Sequence, residues 1–479
     1  MPFKTADEIA QSQRSDLYFG VAAPIGVRRD SFEAELRRTL APYGYEVELI
    51  RVSSLLTDFK EISIDSSSED SRLRSSMDAG SSIRSSVSKD ALARAVMLDI
   101  ASRRPSRTKP TAYVIWSLKH PEEVASLRLV YGGSFHLIAL FASESERIAE
   151  LQRNPGINDK EAREHVARDK QEPGKTHGQQ TRETFHRADV FLPWGSTSRP
   201  APLDRFMKLI FGHPGITPTA DEHHMFLAFS SALRSGDLSR QVGAALVSSS
   251  GDVLAVGAND VPRCGGGLYW PSDGDDRDIA RGEDWNMRVR RELLTEIATT
   301  IDPEAKEDLI AKLEHTKLRD ITEYGRAVHA EMEALLACGR TGRSTSQAIL
   351  YTTTFPCHNC ARHIIGAGIS RVVYVEPYPK SRAMELHSKD ILEVEPGGQA
   401  DDDRVRFEPY LGVGPRRFFD YFSMALSSGY QLRRKRDDGK LSPWNPETAA
   451  PRVQLPMLPL QEFEKSLGTE LLPFQCGEE

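Results

Sequence analysis

The stretch Tyr351-Thr-Thr-Thr-Phe-Pro-Cys357-His-Asn-Cys360-Ala-Arg-His-Ile-Ile-Gly-Ala-Gly-Ile-Ser-Arg371-Val-Val-Tyr374 decides how this chain is read. It opens as a strand over residues 348–354 and breaks at Pro356. A helix over 357–367 and a second strand over 371–376 follow. Strand, helix and strand in that order are the unit of a parallel α/β sheet. A Cys-x-x-Cys at the start of the helix aims two sulfurs at one point.

Upstream, residues 326–338 read as another helix, with His329-Ala330-Glu331 near its start. One imidazole and two thiolates suit zinc, bound tetrahedrally. Three protein ligands leave the fourth corner for water, the catalytic rather than the structural arrangement. Glu331, two residues after His329, is placed to move the proton of that water. The pattern His-x-Glu with Pro-Cys-x-x-Cys is the signature of zinc nucleobase deaminases. The competing reading is a closed structural zinc site with Cys338 or Cys264 as fourth ligand, which leaves Glu331 and Pro356 without a role.

Residues 326–336 and 351–374 resemble the deoxycytidylate deaminase branch of the cytidine deaminase superfamily. The resemblance spans most of residues 214–421, with one long insertion. It implies a mixed five-stranded sheet between helices, with His329, Cys357 and Cys360 as zinc ligands and Glu331 as proton shuttle. It also implies a substrate contact from Asn259, in Gly257-Ala-Asn-Asp-Val-Pro262; the alternative is a turn residue capping Asp260. Glu376-Pro-Tyr-Pro-Lys-Ser-Arg-Ala-Met-Glu-Leu-His387 is similar to a bacterial subgroup, the anti-phage dCTP deaminases. Members of that subgroup act on free dCTP or dCMP and carry an N-terminal P-loop-kinase-like domain. Lys380 and Arg382 are candidates for contacting phosphate, or a solvated basic pair. A homo-oligomer and restraint by a small regulatory RNA are further implications of the resemblance alone.

The N-terminal part alternates strands and helices: a short strand at Leu17-Tyr-Phe19, a helical face of Phe32, Leu36 and Leu40, and strands at 45–50, 112–116 and 136–141. This predicts a second, parallel α/β domain. Gly20-Val-Ala-Ala-Pro-Ile-Gly26-Val27 stands where a P-loop would be, but Val27 replaces the lysine and no acidic residue ends the 112–116 strand. Gly20 and Gly26 are therefore candidates for a degenerate nucleotide-binding loop, with Arg28 and Arg29 beside it. The domain is expected to bind a nucleotide or a partner rather than to transfer phosphate. Residues 63–88, dominated by serine, read as a loosely ordered insertion, and 154–183 as an exposed helical lid or loop. The expected boundaries are 1–200, 214–425 and a C-terminal extension over 426–479.

Composition narrows the classes further. At 479 residues the chain has length for two to four domains. Sixty-two basic against 69 acidic residues give a net charge of −7, which argues against a dedicated duplex-DNA binder. Five cysteines are too few for a disulfide framework and favour a reducing cytoplasm. No apolar run reaches membrane-spanning length, and residues 1–14 lack a signal-peptide core. Two rival functions remain open. One is a nucleic-acid cytosine or adenine deaminase, which needs a basic single-strand channel. The other is a sensor whose N-terminal domain gates the deaminase.

Overall fold

The computed structural model describes residues 15–59, 62–104, 109–170, 180–195, 201–272, 274–378, 380–395, 403–425, 434–436, 440 and 442–452. Residues 1–14 and Cys476 thus lie outside the described residues. Two α/β units are present, one formed by Met1–Thr219 together with Leu411–Glu479, the other by Ala220–Tyr410.

The first unit is built on strands β1 (Leu17–Ala22), β2 (Glu46–Arg51), β3 (Thr111–Trp116), β4 (Phe135–Phe141) and β5 (Val190–Pro193). They run parallel in the order β5-β4-β1-β3-β2. Every residue of β1 is buried, as expected of a central parallel strand covered on both faces. Helix Arg29–Leu40 packs Phe32, Leu36 and Leu40 into that core, one helical turn apart.

The serine-rich segment is not loose. Glu69–Ser86 forms an 18-residue helix, capped by Ser68, whose hydroxyl accepts from the Ser71 amide at 3.0 Å. Its buried side is made of small groups with Met77, Ile83 and Arg84, so burial without bulk hid the helix from a composition argument. The polar stretch 154–183 holds the helix Asp159–Lys170, which is not wholly exposed, because Ala162 and Val166 are buried. Gly20 sits within β1 rather than in a loop, where a Cβ would lie 2.6 Å from the Phe135 ring. Gly26 adopts φ +83°, and a Cβ there would lie 2.4 Å from the Arg147 carbonyl oxygen, so both space and backbone require glycine.

The second unit holds β6 (Gly243–Val247), β7 (Val253–Ala258), β8 (Ile349–Thr354), β9 (Arg371–Glu376), β10 (Ile391–Glu393) and β11 (Val405–Pro409). The order is β10-β11-β9-β8-β6-β7, with β6 antiparallel to both neighbours and the rest parallel. The sheet is mixed, as expected, but has six strands where five were anticipated. The extra one is the three-residue β10, too short to show as an apolar run. Strand β12 (Gly412–Val413) belongs to the first unit, where it pairs antiparallel with β5. The chain therefore returns to its first unit after residue 410. It continues there through Tyr421, whose hydroxyl lies 2.7 Å from His136 Nδ1, and Trp444, whose indole donates to the Phe211 carbonyl.

Gly257 in β7 fixes how closely the helix Ala330–Thr341 approaches the sheet. A Cβ there would stand 2.1 Å from the Ala330 carbonyl oxygen, which is backbone and has nowhere to go. Gly257→Val should lower stability by about 2 kcal/mol through this overpacking. A denaturant melt monitored alongside bound zinc would check it, because the helix displaced is the one that begins at His329.

Candidate metal centre and active site

Two helix starts build the site. His329 is the N-cap of helix Ala330–Thr341, with extended backbone at φ −68°, ψ 153°. Its approach is held by the preceding residue: Val328 and Asp260 exchange backbone hydrogen bonds at 3.0 and 3.3 Å. Cys357 is the N-cap of helix His358–Gly366, and its sulfur accepts from the Cys360 amide at 3.4 Å. Both caps put their side chains at the positive end of a helix dipole, which favours thiolate at the sulfurs.

His329 Nδ1 lies 3.3 Å from Cys357 Sγ and 3.3 Å from Cys360 Sγ. All three ligand atoms fall within 4.8 Å of one another. At zinc–sulfur and zinc–nitrogen bond lengths, the edges of a tetrahedron are about 3.5 Å, so the triangle already has the size that ion needs. The donor set is also the right one, with soft sulfur and imidazole and no hard oxygen. These residues therefore fit zinc. Among the described residues, neither Cys338 nor Cys264 joins the cluster. Cys338 is buried in the core and Cys264 is exposed.

The three groups are strongly coupled to one another. The Cys357 thiol is pushed down to about 4, first by the hydrogen bond from Cys360 and then by His329. Cys360 is pushed up by that same bond and by its burial. Glu331 is 4% exposed, and its Oε2 lies 3.5 Å from Cys360 Sγ. Burial raises the Glu331 carboxyl above the usual carboxylate range, which suits a group that must both accept and release a proton near neutral pH.

Asn259 is 7% exposed and spends its amide on backbone: Nδ2 donates to the Arg240 carbonyl at 2.8 Å and Oδ1 accepts from the Val242 amide at 2.7 Å. It ties the end of β7 to the entry of β6. Lys380 follows on a different element, a loop fastened beside the cysteine turn by Ser381, whose hydroxyl donates to the Pro356 carbonyl at 2.8 Å. Arg382 is engaged with Glu385 on the surface. Sequence reasoning missed Ser381 and Asp260. The Asp260 side chain accepts from the Gly236 amide and is 1% exposed, and only its place beside Asn259 hinted at it.

Comparison with known proteins puts names beside this geometry. Residues 218–376 match the family model described as the cytidine and deoxycytidylate deaminase zinc-binding region. A probable deoxycytidylate deaminase of Drosophila melanogaster is 31% identical over 173 residues, covering 36% of this chain and 67% of that protein. The deoxycytidylate deaminase of Enterobacteria phage T2 is 36% identical over 69 residues, 14% of this chain and 37% of that protein. Among solved structures, the dCMP deaminase of cyanophage S-TIM5 matches at 17% identity with a TM-score of 0.24, covering 41% of this chain and 100% of its own. Apart from the fly protein, the chain spans well under two thirds of the first curated relatives it matches. No described helix is long and apolar enough to cross a membrane.

Proposed function

Because the chain belongs to the deoxycytidylate deaminase family, we propose that it hydrolyses the exocyclic amine of a free deoxycytidine nucleotide, dCMP or dCTP, in defence against phage. One observation carries the chemistry: a zinc-fitting triangle of His329, Cys357 and Cys360 with the buried carboxyl of Glu331 against it. Zinc, when bound, acidifies water towards neutral pH and withdraws electron density from the reacting centre. Glu331 receives the proton of the attacking water at its carboxylate oxygen and delivers it to N3 of the ring. It then carries the second proton to the departing amine. Water and the cytosine nucleotide are thereby converted to the uracil nucleotide and ammonia. Burial serves Glu331 twice, by raising its pKa and by keeping bulk water from exchanging the proton in transit.

Lys380 is assigned to the substrate phosphate, because Ser381 holds its loop against the cysteine turn. Asn259 is assigned to the sugar on the resemblance alone, through the second Nδ2 proton that its bond to the Arg240 carbonyl leaves over. The defence role and the triphosphate substrate rest on the resemblance of residues 376–387 and on the second α/β unit.

Incubating the pure protein with dCMP, dCTP, CTP and a single-stranded oligonucleotide tests the substrate class. Uracil nucleotide and ammonia are expected from dCMP or dCTP, with the oligonucleotide left intact. Conversion of the oligonucleotide alone would replace this reading with a nucleic-acid deaminase. Equal phage plating on cells with and without the chain would remove the defence role while leaving the chemistry.

A further inference from the structure

The first unit contains a cavity of about 230 Å³ at the carboxyl ends of β1, β2 and β3. Open parallel sheets bind their ligands at that end. Five cations line it, Arg29, Arg51, Arg72, Arg84 and Lys119; Arg29, Arg72, Arg84 and Lys119 each also hold a carboxylate of the chain, Asp30, Glu69, Glu123 and Asp169 in turn. Leu56, Leu73, Met77 and Trp116 form an apolar part of the same wall. We propose that this cavity binds a phosphorylated small molecule, a nucleoside monophosphate by its chemistry, with the phosphate on the arginines and the body of the ligand on the apolar wall.

Arg84 supplies the independent sign of a missing anion. Its side chain is 3% exposed, and its Nε and Nη2 are bound to Glu123 at 2.8 Å. Glu123 has no further reach, because its other oxygen accepts from the Lys119 and His120 amides at 3.0 and 3.2 Å. Arg84 Nη1 is left buried with no hydrogen-bond partner. A guanidinium donor is rarely left so, and phosphate is the group whose geometry it matches. Gly80, one turn earlier on the same helix and also lining the cavity, keeps the space beside it open: a Cβ there would stand 3.4 Å from that Nη1. Glycine inside a helix is otherwise a cost, so the gap has a use. Ser117, on the rim, holds a left-handed φ of 75°, one of two such non-glycine residues described, and strain of this kind gathers at binding sites.

The glycine loop is not the cradle. The Ile25 amide, midway along it, donates to Asp169 Oδ2 at 2.8 Å, while Asp169 Oδ1 takes Lys119 Nζ at 2.8 Å. A carboxylate of the chain thus occupies a donor that a P-loop would offer to phosphate. Side chains from the helix Glu69–Ser86 take over that duty.

Calorimetry on the full zinc-loaded chain tests this with adenosine, guanosine and thymidine 5′-monophosphates and with inorganic phosphate. Wild type is compared with Arg51→Glu, which reverses an exposed charge of the cavity, and with Gly80→Leu, which fills the space beside Arg84. At least one nucleotide should bind saturably and more tightly than inorganic phosphate, and each substitution should weaken it at least tenfold with zinc content unchanged. The proposal is overturned if no nucleotide binds, if inorganic phosphate binds as tightly as the best nucleotide, or if both variants bind as wild type does. In the last case the nucleotide is sitting elsewhere.

Discussion

Glu331→Gln should hold zinc as wild type does and lose turnover by about 10²–10⁴-fold, the usual worth of a positioned general acid–base. In barrier terms this is roughly 3–5 kcal/mol. The substitution keeps shape and volume at a site that is 4% exposed, so the fold has no cavity to collapse into. What it removes is the capacity to take a proton. An amide cannot relay between water, N3 and the leaving amine, and no second carboxyl joins the His329, Cys357 and Cys360 cluster among the described residues. Metal content by atomic absorption and kcat on dCMP, measured on the same preparation, separate this from damage to the metal site. Turnover within tenfold of wild type would mean that Glu331 is a packing residue and the proton travels by another route.

Cys360→Ala acts one step earlier. Cys360 is 1% exposed, sits in the first turn of helix His358–Gly366, and belongs to the core of the second unit. Loss of an outer-shell partner alone typically costs 10–100-fold in metal affinity, so deleting a ligand should cost more than about 100-fold. Activity should fall with the zinc and stay low when zinc is added back at moderate excess. Wild type stripped by a chelator should recover on the same addition. A variant that retained zinc and activity would show that the ion is held by a different set of atoms.

The site was more legible than the scaffold around it. His329-Ala-Glu331 and Cys357-x-x-Cys360 stand at fixed spacing, and a helix N-cap converts that spacing directly into the cluster of His329, Cys357 and Cys360. The long apolar strands were legible for a similar reason, since β1 and β3 are buried along almost their whole length. The helix Glu69–Ser86 was hidden because serine and glycine on its buried side give no hydrophobic period. Strands of two and three residues, β12 and β10, cannot announce themselves by alternation. Gly20 misled in the other direction: a glycine near a P-loop-like pattern reads as a turn, whereas here it makes room for the Phe135 ring within a strand. Asn259 shows where type alone runs out, because only coordinates reveal that both ends of its amide hold backbone.

The pairing of Gly412 and Val413 with Phe191 and Val190 has a consequence for how the polypeptide matures. A ribosome delivers the N-terminal residues first, and domains ordinarily fold as they emerge. Here the earliest unit to be synthesised is the last to be finished, since it must wait through 191 intervening residues, Ala220–Tyr410, for the strand that covers its bare edge. Premature termination anywhere in that interval would release a nascent chain in which β5 is paired to β4 alone and its outer edge is open, the kind of edge on which polypeptides aggregate.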